Sequence, residues 1–507
     1  MKRPDELFQL VHALSRTEKA YFKKFSSIYG NKEERTYLRL FDYLEKQKEY
    51  DDKKLLAHFK GEKFIRQPAV ARHYLFNLIL KSLESYHSSV DAELQSALHH
   101  IEILFEKGLF TSCDRLLARA KKTAHKYERY SYTLELLKWE IELARARSYV
   151  GKSEEEVEQL FAAIFHSLDE CRNVHEYNFL VSRFFVKEVK GGFARTRSEL
   201  KAYEPLLQGL KDEKHARSFR AKYYFLLSYI GYHSISNDHH RALEYSQKLV
   251  ELLEVHPHQA EERPRIYVSA LKNLISCLGK LKRYSEIAPV LEKIRNISVR
   301  TTALRNTIFY SAHTLELEVL IHTGEFEKAV RSLDDFEQQR KEKSVGPPNK
   351  LSETILNYNA CCVHFGAGNF SAANAYLNRI LNEPNIDLRS DIQCFARILA
   401  LLIHYELGNE DLIPYLIRST YRYLFKRKSL YRFEHIVIDF IRRKMPRTNS
   451  KKELLAAFAE LKNDIMELSK DPFEQTALEY FDFISWLESK ISGKSFAEVA
   501  REKVKAA

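Results

Sequence analysis

The amino-acid sequence predicts an all-α protein in which helix pairs are stacked side by side. Three observations lead to this prediction. Gly and Pro, at 15 and 12 of 507 residues, are scarcer than in ordinary globular proteins, which leaves room for long helices. Hydrophobic residues make up 45% and charged residues 30% of the chain, a balance that suits amphipathic helices with one apolar side. The third observation is a short motif that recurs along the chain.

The recurring motif starts at a glycine that we call the marker. Residues 323–333 read TGEFEKAVRSL, and residues 367–377 read AGNFSAANAYL. In both, Phe follows the marker glycine after two residues, Ala after five and Leu after nine. The same pattern is found at eight positions, spaced 40 to 46 residues apart. The markers are Gly108, Gly151, Gly191, Asn237, Lys282, Gly324, Gly368 and Gly408.

The eight copies differ in how well they match. The copies at 108, 324 and 368 are strong, whereas those at 151, 237 and 408 are weak when taken singly. Position plus two is aromatic in five copies, at Phe110, Phe193, Tyr284, Phe326 and Phe370. The exceptions at the three positions are Ser153, His239 and Glu410 at plus two, Glu156 at plus five and Ser246 at plus nine.

Each position of the motif has a physical role. A glycine after a helix adopts the left-handed conformation that ends the helix and satisfies its last carbonyl groups. The aromatic residue begins the next helix and packs back across the turn. The small residue at plus five allows two helix backbones to approach closely, and the Leu continues the same face. The motif therefore predicts a helix, a tight turn and an antiparallel helix.

The pattern G-x-F/Y-x-x-A-x-x-x-L resembles the turn between the two helices of tetratricopeptide-type (TPR) repeats, over roughly residues 95–425. This resemblance implies a right-handed α-solenoid of about eight helix pairs whose first helices line a binding face. The usual period of that family is 34 residues, and the longer period here implies longer helices or turns. The Trp of the family's first helix is missing, since the only tryptophans are Trp139 and Trp486. A generic all-α domain with helix pairs of similar length remains the alternative.

The two ends of the chain lack the motif. Residues 1–95 predict a helical N-terminal cap or small domain, with Ser15-Arg16-Thr17-Glu18 as a capping box. Helices are expected within 31–49 and 67–86. Residues 96–447 form the predicted repeat array, and residues 448–507 the C-terminal capping helices, at 450–469 and 472–491, followed by a polar tail. Gly346, Pro347 and Pro348 predict a loop over 338–353.

The segment 418–447 is the most basic part of the chain, with ten Lys or Arg against Glu434 and Asp439. At 100° per residue, Ile413, Ile417, Thr420 and Leu424 share one side of a helix, and Arg418, Arg422 and Lys426 lie opposite. Tyr421, Tyr423, Phe425 and Tyr431 are close in sequence. Such a basic ridge suits a phosphate backbone, an acidic protein segment or plain contact with solvent. The candidate residues are Arg418, Arg422, Lys426, Arg427, Arg432, Arg442, Arg443 and Lys444.

A second candidate surface lies on the predicted first helices of the pairs. Lys272-Asn273 and Tyr358-Asn359 stand ten and nine residues before their markers. They resemble the side chains with which TPR proteins hold extended peptides. A third repeat lacks the Arg or Lys that a carboxylate clamp needs, which argues against such a clamp. For each Asn, an internal hydrogen bond is the alternative role.

Several classes of site and location are disfavoured by the sequence. The six cysteines show no C-x-x-C pair, so we expect buried thiols in a reducing compartment rather than zinc or disulfides. The sequence has no H-E-x-x-H, no Gly-rich phosphate loop and no G-x-S-x-G motif. The start lacks the features of a secretory signal, and the apolar run at 398–403 is too short to span a membrane.

The leading hypothesis is a non-enzymatic cytoplasmic scaffold, without cofactor or metal, that binds a protein or peptide. The net charge of +12 also permits an acidic partner. The alternative hypothesis is an RNA- or ribosome-associated factor that uses residues 418–447. An enzyme that uses helical repeats only as a frame is the third possibility.

Overall fold

The computed structural model is all-helical over the residues that it describes. These are residues 5–29, 34–62, 66–191, 194–208, 212–299, 301–342, 345–383, 389–427, 429–444, 447 and 450–506. Every regular element in these ranges is a helix, as the composition predicts. None of the helices formed by these residues is both long enough and apolar enough to cross a membrane.

The chain forms two compact units. Unit 1 comprises Met1–Ile164 and Val299–Ala303, and unit 2 comprises Phe165–Ser298 and Leu304–Ala507. Residue 95, our predicted boundary, lies within a helix of unit 1.

Unit 1 contains eight helices and the start of a ninth among its described residues. They are α1 (Glu6–Ala13), α2 (Arg16–Tyr29), α3 (Glu34–Lys46), α4 (Asp52–His58), α5 (Pro68–Tyr86), α6 (Val90–Glu106), α7 (Phe110–Lys126), α8 (Tyr130–Ala146) and α9 (Glu154–Gly191). The predicted capping box is confirmed at the start of α2. The N–H of Ser15 donates to Glu18 Oε2 (2.6 Å), and the N–H of Glu18 donates to Ser15 Oγ (3.2 Å).

Unit 2 contains the remaining helices. The first group is α10 (Arg197–Lys201), α11 (Glu204–Leu207), α12 (Phe219–Ile235), α13 (His239–Val255), α14 (Pro257–Glu262), α15 (Pro264–Lys280), α16 (Ile287–Arg295), α17 (Thr302–His322) and α18 (Phe326–Glu342). The second group is α19 (Lys350–Gly366), α20 (Phe370–Leu381), α21 (Ser390–Glu406), α22 (Ile413–Arg427), α23 (Arg432–Asp439), α24 (Lys451–Leu468), α25 (Pro472–Gln475), α26 (Phe483–Ser492) and α27 (Phe496–Ala506). From α18 to α22, each helix packs against the next one along the chain.

Six of the eight marker residues end a helix in the same way. All six have a left-handed backbone, with φ between 57° and 78°. In each case the N–H of the following residue donates to the carbonyl five residues before it, at 2.8–2.9 Å. This hydrogen bond closes the last turn of the helix, as in a Schellman motif. The six markers are Gly108, Asn237, Lys282, Gly324, Gly368 and Gly408.

A new helical segment starts two residues after each of these six markers. The side chains at plus five and plus nine are buried in every case, which confirms their predicted place in the core. At plus five these are Cys113, Ala242, Ile287, Ala329, Ala373 and Ile413, and at plus nine Leu117, Ser246, Leu291, Leu333, Leu377 and Ile417. The polar exception, Ser246, places its hydroxyl 3.4 Å from the Cys277 thiol.

The other two copies of the motif behave differently. The helix before Gly151 ends three residues early, where the N–H of Tyr149 donates to the carbonyl of Ala144 (2.8 Å). Gly191 is the last residue of α9, and Phe193 lies outside the described residues. Between these two markers the predicted helix pair is wrong, because α9 is one helix of 38 residues. No Gly or Pro occurs between 152 and 190 to interrupt it.

The C-terminal part departs from the prediction at one point. Residues 472–491, predicted as one helix, form α25, a 3-10 turn (Thr476–Glu479) and α26. Between the last two, the ring of Tyr480 stacks on Phe395 at 4.1 Å, and Phe481 meets Phe365 edge-on at 5.0 Å. The helix breaks because these rings pack into the core formed by α19 and α21. The polar tail forms α27, and Phe496 at its start packs on Phe326 at 5.3 Å.

The loop predicted at 338–353 is shorter than expected. Helix α18 continues to Glu342, and α19 begins at Lys350, where the Asn349 side chain accepts a hydrogen bond from the N–H of Ser352 (2.9 Å). Residues 343–344 lie outside the described part of the chain.

Replacing Gly366 tests how tightly neighbouring turns are packed. A Cβ atom at Gly366 would overlap the ring of Phe326, which is fully buried. We expect Gly366→Ala to destabilise the protein by about 1–3 kcal/mol, although alanine normally favours a helix. At the marker Gly368 a Cβ atom has open space and only the left-handed backbone opposes it, so Gly368→Ala should cost about 1–2 kcal/mol. Urea unfolding of both variants measures these losses.

The additional change Phe326→Leu separates the two causes. Phe326→Leu should recover part of the stability lost in Gly366→Ala, because that loss arises from overlap with the Phe326 ring. It should recover none of the stability lost in Gly368→Ala, which arises from the backbone conformation. A Gly366→Ala protein more stable than the parent would contradict the packing seen here.

Candidate functional site

The first candidate site lies on α15, α17 and α19, the helices that precede the markers Lys282, Gly324 and Gly368. We call it the Glu318 cluster, which consists of Lys272, Asn273, Glu318, Tyr358 and Asn359. On α15, the buried residues Leu271, Leu274 and Ile275 hold one side of the helix in the core. Lys272 and Asn273 therefore lie at its partly exposed edge.

Glu318 is the centre of this cluster. The amide Nδ2 of Asn359 donates to Glu318 Oε1 at 3.4 Å. Lys272 and Glu318 also act on each other electrostatically. Among the described residues, however, no carboxylate lies within 4.0 Å of the Lys272 ammonium, and it makes no hydrogen bond. Lys272 thus faces an acidic group without being paired to it.

Burial perturbs both charged groups of the cluster. It raises the pKa of Glu318, although the hydrogen bond from Asn359 and the charges of Lys280 and Lys272 oppose this change. It also lowers the pKa of Lys272, against the attraction of Glu318. Both side chains are nevertheless partly exposed. Partly exposed groups whose pKa values are shifted by burial and by a neighbouring charge are candidates for a functional site.

The other candidates from the sequence have different surroundings. The Tyr358 hydroxyl donates to the carbonyl of Tyr480 (3.1 Å), so this side chain holds the protein's own chain. Asn273 is partly exposed, and no hydrogen bond of its side chain exists within the described residues. Sequence reasoning missed Glu318, because the motif register places Thr314 and Leu315 at the positions that correspond to Lys272 and Asn273. Its only signal is an acidic residue within the apolar run LELEVLI.

The C-terminal segment lies beside this cluster. Glu479 pairs with Lys280, at the end of α15. Thr476 accepts a hydrogen bond from the side chain of Asn237 (2.9 Å), and the Tyr480 hydroxyl donates to Asp391 (2.7 Å). Residues 476–480 thus contact the turn at Asn237 and the helices α15, α19 and α21. One side of the face that carries the Glu318 cluster is therefore covered by the chain itself.

A buried arginine fixes this segment in place. Arg195 donates to both oxygens of Glu434 (2.9 and 3.3 Å) and to Glu474 Oε2 (3.3 Å). Its guanidinium also lies 4.5 Å from the centre of the Tyr431 ring. Burial raises the pKa of Glu434, and the positive charge of Arg195 opposes this effect. The pairing of one cation with two carboxylates joins residues that are more than 230 positions apart in sequence.

The second candidate site is the basic segment. The buried residues of α22 are Ile413, Ile417, Thr420 and Leu424, which confirms the predicted apolar side. Arg418, Arg422 and Lys426 are exposed on the opposite side.

The remaining five basic candidates are bound or oriented differently. Arg442 and Arg443 pair with Asp439 (2.9 and 3.6 Å), and Lys444 pairs with Glu460 (2.5 Å). Arg427 is half-buried beside the Tyr423 ring, at 5.7 Å, and Arg432 is exposed at the start of α23. The structure therefore separates the exposed cations Arg418, Arg422 and Lys426 on α22 from the paired cations after α23.

The cysteines are thiols of the protein interior. All six are free, and only Cys171 is less than fully buried. Burial raises the pKa of Cys362 and of Cys394 to about 12, so both thiols are protonated at neutral pH. Within the described ranges, no group of three or more His, Cys, Asp or Glu could hold a metal ion.

No protein-family model and no curated protein sequence matches this chain.

Replacing Glu318 tests whether the burial of this ionisable carboxyl group lowers the stability of the folded protein. Because burial raises its pKa, the folded protein binds a proton at Glu318 more tightly than the unfolded chain does. Its contribution to stability is therefore greatest at acidic pH and falls as the pH rises through the raised pKa. Glu318→Gln should be more stable than the parent at pH 8, by about 1–2 kcal/mol, because the amide accepts the same hydrogen bond without a charge to bury.

The gain from Glu318→Gln should be smaller at pH 4, where the carboxyl group of the parent is itself protonated. Urea midpoints at both pH values measure the difference. An equal gain at pH 4 and pH 8 would contradict the assignment of a buried, ionisable group.

Replacing Arg195 tests the buried charge cluster. Arg195→Met leaves Glu434 and Glu474 without their cation, so we expect a loss of about 3–5 kcal/mol at pH 7. The loss should shrink at pH 4, because burial raises the pKa of Glu434 and this carboxyl group then takes up a proton. The triple variant Arg195→Met, Glu434→Gln, Glu474→Gln should recover much of the stability at pH 7. Thermal unfolding of the three proteins measures this, and a triple variant no better than Arg195→Met would overturn the assignment.

Proposed function

We propose that this protein is a non-enzymatic scaffold that binds a protein or peptide segment at the Glu318 cluster. The observation that carries the proposal is the partly exposed ammonium of Lys272, which is attracted by Glu318 but forms no ion pair with it. A buried or recessed charge without a partner lowers stability, so its retention is better explained by a ligand than by folding.

The repeated turns extend this proposal to the architecture. We interpret them as the turns of TPR-like repeats in a right-handed α-solenoid of antiparallel helix pairs. Six turns with the same left-handed marker and the same closing hydrogen bond support this interpretation. In such an array the first helices of the pairs, here α15, α17 and α19, form the concave face. A cytoplasmic location fits the free buried thiols.

The chemistry of the cluster suits a polypeptide ligand. The amide of Asn273, which is partly exposed, can donate and accept a hydrogen bond, as an extended backbone requires. Lys272 can bind a carboxylate or carbonyl oxygen of the partner, and Glu318 can accept from an N–H group. Because the helices hold these groups in place before binding, the partner loses little affinity to the ordering of side chains.

Site-specific photo-crosslinking tests the proposed surface. A photoreactive phenylalanine analogue is introduced at Asn273, within the cluster, or at Lys328, an exposed position on α18 that serves as control. We expect the probe at 273 to capture a protein in cells and the probe at 328 to capture much less of it. The captured species should survive nuclease treatment.

The variant Lys272→Glu completes the test. It should reduce the crosslink from position 273 by about tenfold, as expected for a charge contact of about 1.4 kcal/mol. Lys328→Glu makes the same change of charge on α18 and should have no effect. Equal crosslinking from both positions, or a nuclease-sensitive product, would contradict binding of a protein at this cluster.

A further inference from the structure

Helix α22 presents a set of unpaired cations to solvent. Arg418, Arg422 and Lys426 follow one another at intervals of four residues, which places them on one side of the helix. Between Leu412 and Phe433 the sequence has six Lys or Arg and no Asp or Glu. Of the carboxylates that the structure describes, none lies within 4.0 Å of these three side chains. Their charge is therefore not neutralised by a neighbouring acid.

Exposed aromatic rings accompany these cations. Tyr415 is 65% exposed and Phe425 67% exposed, far more than large apolar side chains usually are. The rings of Tyr421 and Phe425 are nearly parallel, with an interplanar angle of 11° and 6.2 Å between centroids. At 100° per residue, Tyr415 falls between Arg422 and Lys426, and Phe425 falls beside Arg418. Rings and cations thus share the exposed face of the helix, with Tyr415 between two cations and with Phe425 and Tyr421 at one edge of the cations.

The presence of rings and cations on one exposed face distinguishes between possible ligands. A helix that lies on a membrane keeps its apolar residues in a stripe apart from its cations, whereas on α22 the ring of Tyr415 lies between Arg422 and Lys426. An acidic protein segment would use the cations but has no need of the exposed rings. A single-stranded nucleic acid uses both, because its phosphates pair with cations and its bases stack on aromatic rings.

We propose that the exposed face of α22 binds single-stranded nucleic acid through its phosphates and by base stacking, without dependence on base sequence. Arg418, Arg422 and Lys426 contact phosphates, and Tyr415, Tyr421 and Phe425 provide the stacking surface. The surface ends before Arg442, Arg443 and Lys444, because acidic neighbours already neutralise these three.

Binding of a labelled oligouridine of 12 nucleotides to the full chain, followed by fluorescence anisotropy, tests the proposal. Three phosphate contacts to a single strand give a slope of about −2 for log K against log salt concentration. Affinity should therefore fall about 20-fold between 50 and 200 mM salt. The triple variant Arg418→Gln, Arg422→Gln, Lys426→Gln should remove most of this salt dependence and weaken binding at 50 mM salt more than tenfold.

The paired cations supply a matched control. Arg442→Gln, Arg443→Gln, Lys444→Gln removes the same three positive charges and should leave binding within about twofold. Phe425→Ala should weaken binding about tenfold while the salt slope stays the same, because stacking does not release counterions. All of these side chains are exposed, so circular dichroism and thermal unfolding should show an unchanged fold.

Three results would overturn the proposal. The first is an absence of oligouridine binding at 50 mM salt. The second is an equal loss of binding in both triple variants, which would indicate a general effect of net charge. The third is tighter binding of polyglutamate or of phosphatidylserine vesicles than of oligouridine, with the same dependence on Arg418, Arg422 and Lys426.

Discussion

The left-handed residue at the end of a helix is the constraint on which the array depends. At six markers this residue ends the helix, and the next N–H donates to the carbonyl five residues back, so this hydrogen bond satisfies a carbonyl group of the last turn. Because the following helix begins two residues after the marker, the residues five and nine positions after the marker reach the core at each turn. Asn237 and Lys282 adopt the same conformation without being glycine. The packing gained at these turns must therefore outweigh the steric cost of about 1–2 kcal/mol.

Contacts along the array are mainly between neighbouring helices, and the C-terminal segment adds contacts of long range to unit 2. Arg195 binds Glu434 and Glu474, Lys280 binds Glu479, and Tyr480 bonds to Asp391. Removing Arg195 would leave Glu434 and Glu474 buried without their cation, which costs more than the ion pairs themselves contribute. The segment is thus part of the fold of unit 2. It also limits where a ligand can bind, since it covers one side of the face that carries Lys272 and Glu318.

Local signals in the sequence predicted those features that depend on local chemistry. The helix periodicity of 413–424 identified the buried side of α22, and Ser15 and Glu18 identified the start of α2, because both depend on spacing along a single helix. The break at Tyr480 could not be predicted in this way, since it depends on Phe395 and Phe365, which are distant in sequence. Glu318 was missed for the same reason: its importance comes from Lys272 and Asn359 on two other helices. At Gly151 the motif predicted the position of the turn only approximately, because the left-handed residue that closes the helix is Ser148, three residues earlier.

The two candidate surfaces differ in how far their charged groups are buried. At the Glu318 cluster the charged groups are partly buried, and burial disfavours the ionised form of both. A partner that binds there replaces the lost hydration, so shape and hydrogen-bond geometry decide which ligand fits. On α22 the cations keep their hydration and lack acidic neighbours, which favours a ligand held by long-range attraction and displaced by salt. The proposed ligand of α22 is held by electrostatic attraction, and the proposed ligand of the Glu318 cluster by shape and hydrogen bonds. A rise in salt concentration should therefore release the ligand of α22 at a lower concentration than the ligand of the Glu318 cluster.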